Sequence, residues 1–136
     1  MSDRVVFDAE PLLAHVFDET GAEHVETYLD RVDEGDAEGF VSPVTLTEVL
    51  YVARRGVDTP ELDTFLSWLQ TRVSIVKPSA CWREAARYKE DHQVSLGDAF
   101  ALASAEYVDG TLLVGGDDDF EEITDVDIRR FREGAS

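Results

Sequence analysis

A chain of 136 residues with 43% apolar and 31% charged side chains suits a single globular domain over residues 1–136, large enough to bury a core without staples. The lone cysteine, Cys81, excludes an internal disulfide and a cysteine-based zinc site, and no apolar run approaches the roughly 20 residues that cross a bilayer. With 12 basic against 30 acidic side chains the formal net charge is -18, which counts against a nucleic-acid partner, because such binders ordinarily neutralise phosphates with a basic face.

A high-salt cytoplasm reconciles that charge with an anionic partner: the Debye length falls to about 3 Å at 1 M salt, so a dense negative surface repels far less. A halophilic source is therefore expected. The amino terminus lacks the longer apolar stretch of a secretory signal, and the expected location is the cytoplasm.

Val5-Val6-Phe7 forms a short apolar run ending at Asp8, and Pro11 sits where a first helical turn accepts it, so strand passes into helix. From Gly21 to Val32 the apolar positions Ala22, Val25, Tyr28, Leu29 and Val32 recur at helical spacing, and the Gly35 to Gly39 region breaks that helix. Phe40-Val41 reads as a short strand. Ser42-Pro43 then offers an N-cap with proline at N1, opening a helix through Val44, Leu46, Val49, Leu50 and Ala53 to Gly56.

Thr59-Pro60 starts another helix in the same manner, with Leu62, Phe65, Leu66 and Leu69 on one face, before Val73-Ser74-Ile75-Val76 reads as a buried strand. Pro78 ends that strand, Ser79 is expected to cap a helix carrying Trp82, Ala85, Ala86 and Tyr88, and Ser95 to cap one running through Phe100 to Tyr107. Thr111 to Val114 and Val126 to Phe131 read as the last strands, bracketing the loop Gly115 to Phe120, with a frayed tail from about Glu133. Alternating strands and helices predict an α/β fold: a mostly parallel sheet with helices on both faces.

In such a sheet ligands bind beyond the carboxyl ends of the strands. Four carboxylates fall there: Asp8 after the first strand, Asp117 after the Thr111 strand, Asp98 in the first turn of its helix, and Glu48 near the front of another. Each has an ordinary alternative. Ser95 to Asp98 and Thr45 to Glu48 have capping-box spacing, Asp8 is placed to cap the helix near Pro11, and the Asp117 to Asp119 triplet suits a solvated turn. Their joint placement at one edge is what capping does not require. Two carboxylates roughly 5 Å apart repel by about 3 kcal/mol at an effective dielectric of about 20, so a converging set must protonate or bind a hard divalent cation such as Mg²⁺ or Mn²⁺.

The stretches Val5 to Ala14, Thr47-Glu48-Val49, Ser95 to Ala103 and Gly116 to Phe120 together resemble the PIN-domain family and, within it, VapC-type ribonuclease toxins. The resemblance implies a three-layer α/β/α fold, Mg²⁺- or Mn²⁺-dependent endoribonuclease activity, and control by a cognate VapB-type antitoxin. It also implies that Asp8, Glu48, Asp98 and Asp117 are the catalytic acids, that Asp8, Asp98 and Asp117 hold metal, and that Asp119 is an additional ligand or water-positioning group. Relatives often form homodimers. Ala9-Glu10 departs from the family, where many members have a hydroxyl residue after the first aspartate; Glu10 is a candidate to compensate, with a solvated side chain the expected state.

Arg54, Arg55, Arg83, Arg87 and Lys89 are candidates for touching RNA phosphates, though Arg54-Arg55 also suits a helix carboxyl end. His15, His24 and His92 are too scattered to form a catalytic pair. Two other classes fit an acidic edge: a PIN-like module that only binds, and a phosphoacceptor receiver domain. The second is disfavoured by the lack of an acidic pair directly after the first strand and of any lysine beyond Lys89.

Overall fold

A computed structural model describes residues 3–56, 60–116 and 120–132. Among the described residues eleven elements follow in chain order: β1 (Asp3–Phe7), α1 (Ala9–Phe17), α2 (Ala22–Asp33), β2 (Ala37–Val41), α3 (Pro43–Gly56), α4 (Pro60–Arg72), β3 (Val73–Ile75), α5 (Pro78–Asp91), α6 (Leu96–Val108), β4 (Thr111–Val114) and β5 (Asp127–Arg130). The five strands form one sheet in the order β3-β2-β1-β4-β5, and every neighbouring pair is parallel. The expected α/β architecture is thus present, with a wholly parallel sheet.

Strand β1 lies at the centre, and its buried residues Val5, Val6 and Phe7 are apolar on both faces. Val5 and Phe7 point into one core with Val25, Leu29, Val49 and Leu69 from α2, α3 and α4, whereas Val6 points into the other with Ala85, Tyr88 and Leu102 from α5 and α6. Strand β4 divides likewise, Leu113 to the first core and Leu112 and Val114 to the second. Side chains alternate with period two, so a strand covered on both sides must be apolar throughout. Cys81 is buried in the second core, as its packing role predicted, and burial pushes its thiol up. No helix among the described residues is long and apolar enough to cross a membrane.

Several local expectations change. Strand β2 begins at Ala37 rather than Phe40, taking in Gly39; a Cβ there would stand 3.2 Å from Val32 and Val73, so glycine lets α2 and β3 close on β2. Strand β3 is an edge strand with only Val73 of its three residues buried. Helix α5 takes Lys77 as its N-cap and Pro78 at N1, which puts Ser79 inside the helix. Helix α3 starts at Pro43, with the Ser42 hydroxyl accepting from Val44 N at 3.1 Å. Thr45 therefore lies within the helix, and the capping-box reading of Thr45 to Glu48 fails because the true start is one turn earlier. Ser95 does cap α6, accepting from Asp98 N at 3.1 Å.

Candidate active site

Asp8 leaves β1 at the centre of the sheet's carboxyl edge, anchored by its amide, which donates to Leu113 O at 3.0 Å. It occupies the N-cap position of α1, yet its side chain makes no capping hydrogen bond. Its residue is only 6% exposed. Burial pushes the Asp8 acid well above the usual carboxylate range; the Asp98 charge adds to this, the Ala9 amide partly offsets it, and the charges of Glu48 and Glu10 push further. Glu48 is raised as well, by burial and then by Asp98. Three carboxylates from β1–α1, α3 and α6 thus feel one another across the top of the sheet.

Local sequence explains each placement. The Ser95 cap fixes the start of α6 and puts Asp98 in its first turn, half-buried. Freed of capping, the half-buried Glu48 reaches toward α6, where a Cβ added at Gly97 would stand 2.9 Å from Glu48 Oε1. Gly97 keeps that approach open. Asp117 and Asp119, the remaining acids of the expected set, lie outside the described residues.

Thr45, one helical turn before Glu48, was read from sequence only as a cap and not as part of the site. It is 1% exposed, and its Oγ1 has no hydrogen-bond partner. Thr27, Thr47, Thr64 and Thr71 each donate to the carbonyl four residues back, but the carbonyl at that distance from Thr45, Val41 O, already accepts from Val76 N at 2.9 Å. A buried hydroxyl without a partner costs roughly 1–3 kcal/mol, so it marks a place where an acceptor or water is wanted.

The donor set suits a hard divalent cation: oxygen ligands only, like-charged, and in Asp8 a carboxylate whose ionised form burial opposes. Among the described residues no group of three acids, histidines or cysteines is already closed into a metal cage. Asp8 and Asp98 are the described residues that would hold such an ion, with Glu48 and Glu10 near enough to act on Asp8 by their charge.

The basic residues named from sequence are mostly committed elsewhere. Arg87 pairs with Glu84, Glu106, Asp125 and Asp91, Lys89 donates to Val94 O, and Arg55 and Arg83 lie over the Tyr51 and Trp82 rings. His15 is not isolated: its Nδ1 is 3.1 Å from Glu26 Oε2, and its ring meets Phe65 at 4.7 Å in the wall of a groove between α1, α2 and α4.

A wholly parallel α/β/α sheet whose central strand delivers a buried aspartate into an acidic edge defines the class. Residues 5–126 match the PIN domain family model, and the chain belongs to the PIN domain family. Its fold is similar to three solved assemblies. A toxin–antitoxin complex from Klebsiella pneumoniae aligns at TM-score 0.71 and 17% identity, over 95% of this chain and 98% of the other. DNA-bound VapBC from Salmonella typhimurium aligns at 0.74 and 14%, over 97% and 100%. VapBC2 from Rickettsia felis, bound to a promoter DNA fragment, aligns at 0.72 and 13%, over 93% and 98%. A search of curated protein sequences found no match.

Proposed function

We propose that the chain is a divalent-metal-dependent endoribonuclease, the toxin of a type II toxin–antitoxin pair, working in a cytoplasm of high salt. The observation that carries the reading is Asp8, a buried carboxylate at the centre of the sheet that shares its field with Glu48 and Asp98. Mg²⁺ or Mn²⁺ bound there supplies charge neutralisation at the phosphate and a water of lowered pKa. Asp8 and Asp98 hold the cation, joined in this proposal by Asp117 and Asp119. Glu48, more open to solvent than Asp8 and raised in pKa, orients and receives a proton from the attacking water. Purified protein is expected to cut RNA when Mg²⁺ or Mn²⁺ is added. Asp98→Asn removes a charged ligand of the cation and should lower the rate by roughly 100-fold, the upper end of the range for loss of a group that supports a metal site; full activity in a folded Asp98→Asn protein would remove the mechanism.

The partner reading is supported by solved structures of similar fold that are toxin–antitoxin and VapBC assemblies, and by a surface that fits a basic amphipathic helix. The groove of about 490 Å³ between α1, α2 and α4 is lined by the apolar Leu29, Phe65 and Trp68 together with the acids Glu26, Asp30, Asp33 and Glu61. A second copy of the chain is proposed as the cover for the exposed apolar side chains Tyr51, Ile75, Trp82 and Leu96.

A further inference from the structure

Glu10 stands two residues after Asp8, where a solvated side chain was expected. It is instead half-buried, with its carboxyl group laid against the end of β4: a Cβ added at Gly115 would overlap Glu10 Oε1, Oε2 and Cδ. Gly115 is not among the glycines with positive φ, which are Gly21 and Gly35, so what glycine provides at this position is space rather than backbone freedom. The sequence thus leaves a hole at the carboxyl end of β4, next to β1, and a carboxylate from the first turn of α1 fills it.

That carboxylate is balanced from the far side. Arg132, just beyond β5, places its Nη1 3.8 Å from Glu10 Oε1 and its Nη2 3.8 Å from Glu19 Oε1. The guanidinium lies over the Phe131 ring at 4.6 Å, and its Nε and Nη2 are buried without a hydrogen-bond acceptor. Arginine at this place sets a positive charge beside Glu10 at ion-pair rather than hydrogen-bond distance. Two residues back along the chain stands Asp8, on which the Glu10 charge acts as the smallest of the influences named above.

The geometry points to Glu10 as a positioning residue of the proposed metal centre, seated by Gly115 and steadied by Arg132, so that its negative charge adds to the field that holds a divalent cation at Asp8. The inference rests on the metal-centre reading above. It assigns Glu10 the supporting role that groups behind metal ligands play elsewhere, where their loss typically costs 10–100-fold in metal affinity.

The test is calorimetric titration of the metal-free full chain with Mn²⁺, with thermal melts to confirm that each variant folds. Glu10→Gln, which keeps the shape and removes the charge, should weaken Mn²⁺ binding by roughly 10-fold or more. Gly115→Ala leaves every carboxylate in the sequence but displaces Glu10, so it should weaken binding in the same direction. Adding Gly115→Ala to Glu10→Gln should then cost little more, because both changes remove one interaction. Wild-type affinity in folded Glu10→Gln would overturn the role of Glu10 while leaving the nuclease reading intact. So would a Gly115→Ala loss that persists undiminished in the Glu10→Gln background, since it would trace to the β4 backbone. A wild-type chain that binds no Mn²⁺ would bring down the metal centre itself, and this role with it.

Discussion

Asp8 and Glu48 invert the usual pH behaviour of carboxylates. Burial and neighbouring negative charge raise both, so the folded chain binds their protons more tightly than the unfolded chain does. Stability from such groups is fully present below the ordinary carboxylate range near pH 4 and is lost as pH rises through the higher folded values. Asp3 runs the other way, lowered by its bond to Arg31, but it is fully exposed and shifts the balance little. In EDTA, Asp8→Asn should therefore raise Tm by a few degrees at neutral pH and flatten the fall in Tm as pH rises above the ordinary carboxylate range near about pH 4. Excess Mn²⁺ should reverse the wild-type trend, because the cation takes the deprotonated carboxylates. Scanning calorimetry reads all of this. An Asp8→Asn chain that melts lower than wild type without metal, with an unchanged pH slope, would mean that the Asp8 charge is not strained in the fold.

Among the elements, α1, α2 and α4 build the proposed antitoxin groove, and its energetics should concentrate in its aromatic wall. Phe65 and Trp68 stack at 6.3 Å, and Trp68 Nε1 donates to Asp33 at 3.2 Å, which holds the indole ready rather than free to rotate. Trp68→Ala should weaken binding of the cognate antitoxin by about 2 kcal/mol or more, roughly 30-fold, with RNA cleavage by the free toxin unchanged. Calorimetry with the product of the neighbouring gene measures it, and unaltered affinity would place the partner elsewhere. Local patterning made most elements legible: the 3.6-residue spacing of α2 and α4, the Ser42-Pro43 start of α3 and the Ser95 cap of α6 all hold in the fold. Misreadings arose where a tertiary contact overrides a local signal, as at Gly39, which reads as a breaker until Val32 and Val73 are seen to close over it. The edge position of Asp8, Glu48 and Asp98 followed from parallel topology. Thr45, Gly97, Gly115 and Arg132 did not, because each acquires its meaning only from a residue distant in sequence or in another element.

For the whole molecule, the -18 charge is the dominant constraint. Ion pairs such as Arg31–Asp3 and the Arg87 cluster engage many of the few cations, so most acids face one another across solvent and the folded chain is more crowded with like charge than the unfolded one. Raising KCl from about 0.1 M to about 1 M shortens the Debye length from roughly 10 Å to roughly 3 Å, which screens that repulsion within a chain and between two chains alike. Tm should therefore climb with KCl, and a pair of chains meeting through Tyr51, Ile75, Trp82 and Leu96 should associate more tightly in the same series, since apolar contact is not weakened by KCl and the opposing charge is. Thermal melts and sedimentation velocity on the same samples follow both effects. A Tm that stays flat or falls would show that the acidic surface is already locally neutralised, and would withdraw the high-salt setting that lets so negative a protein approach RNA.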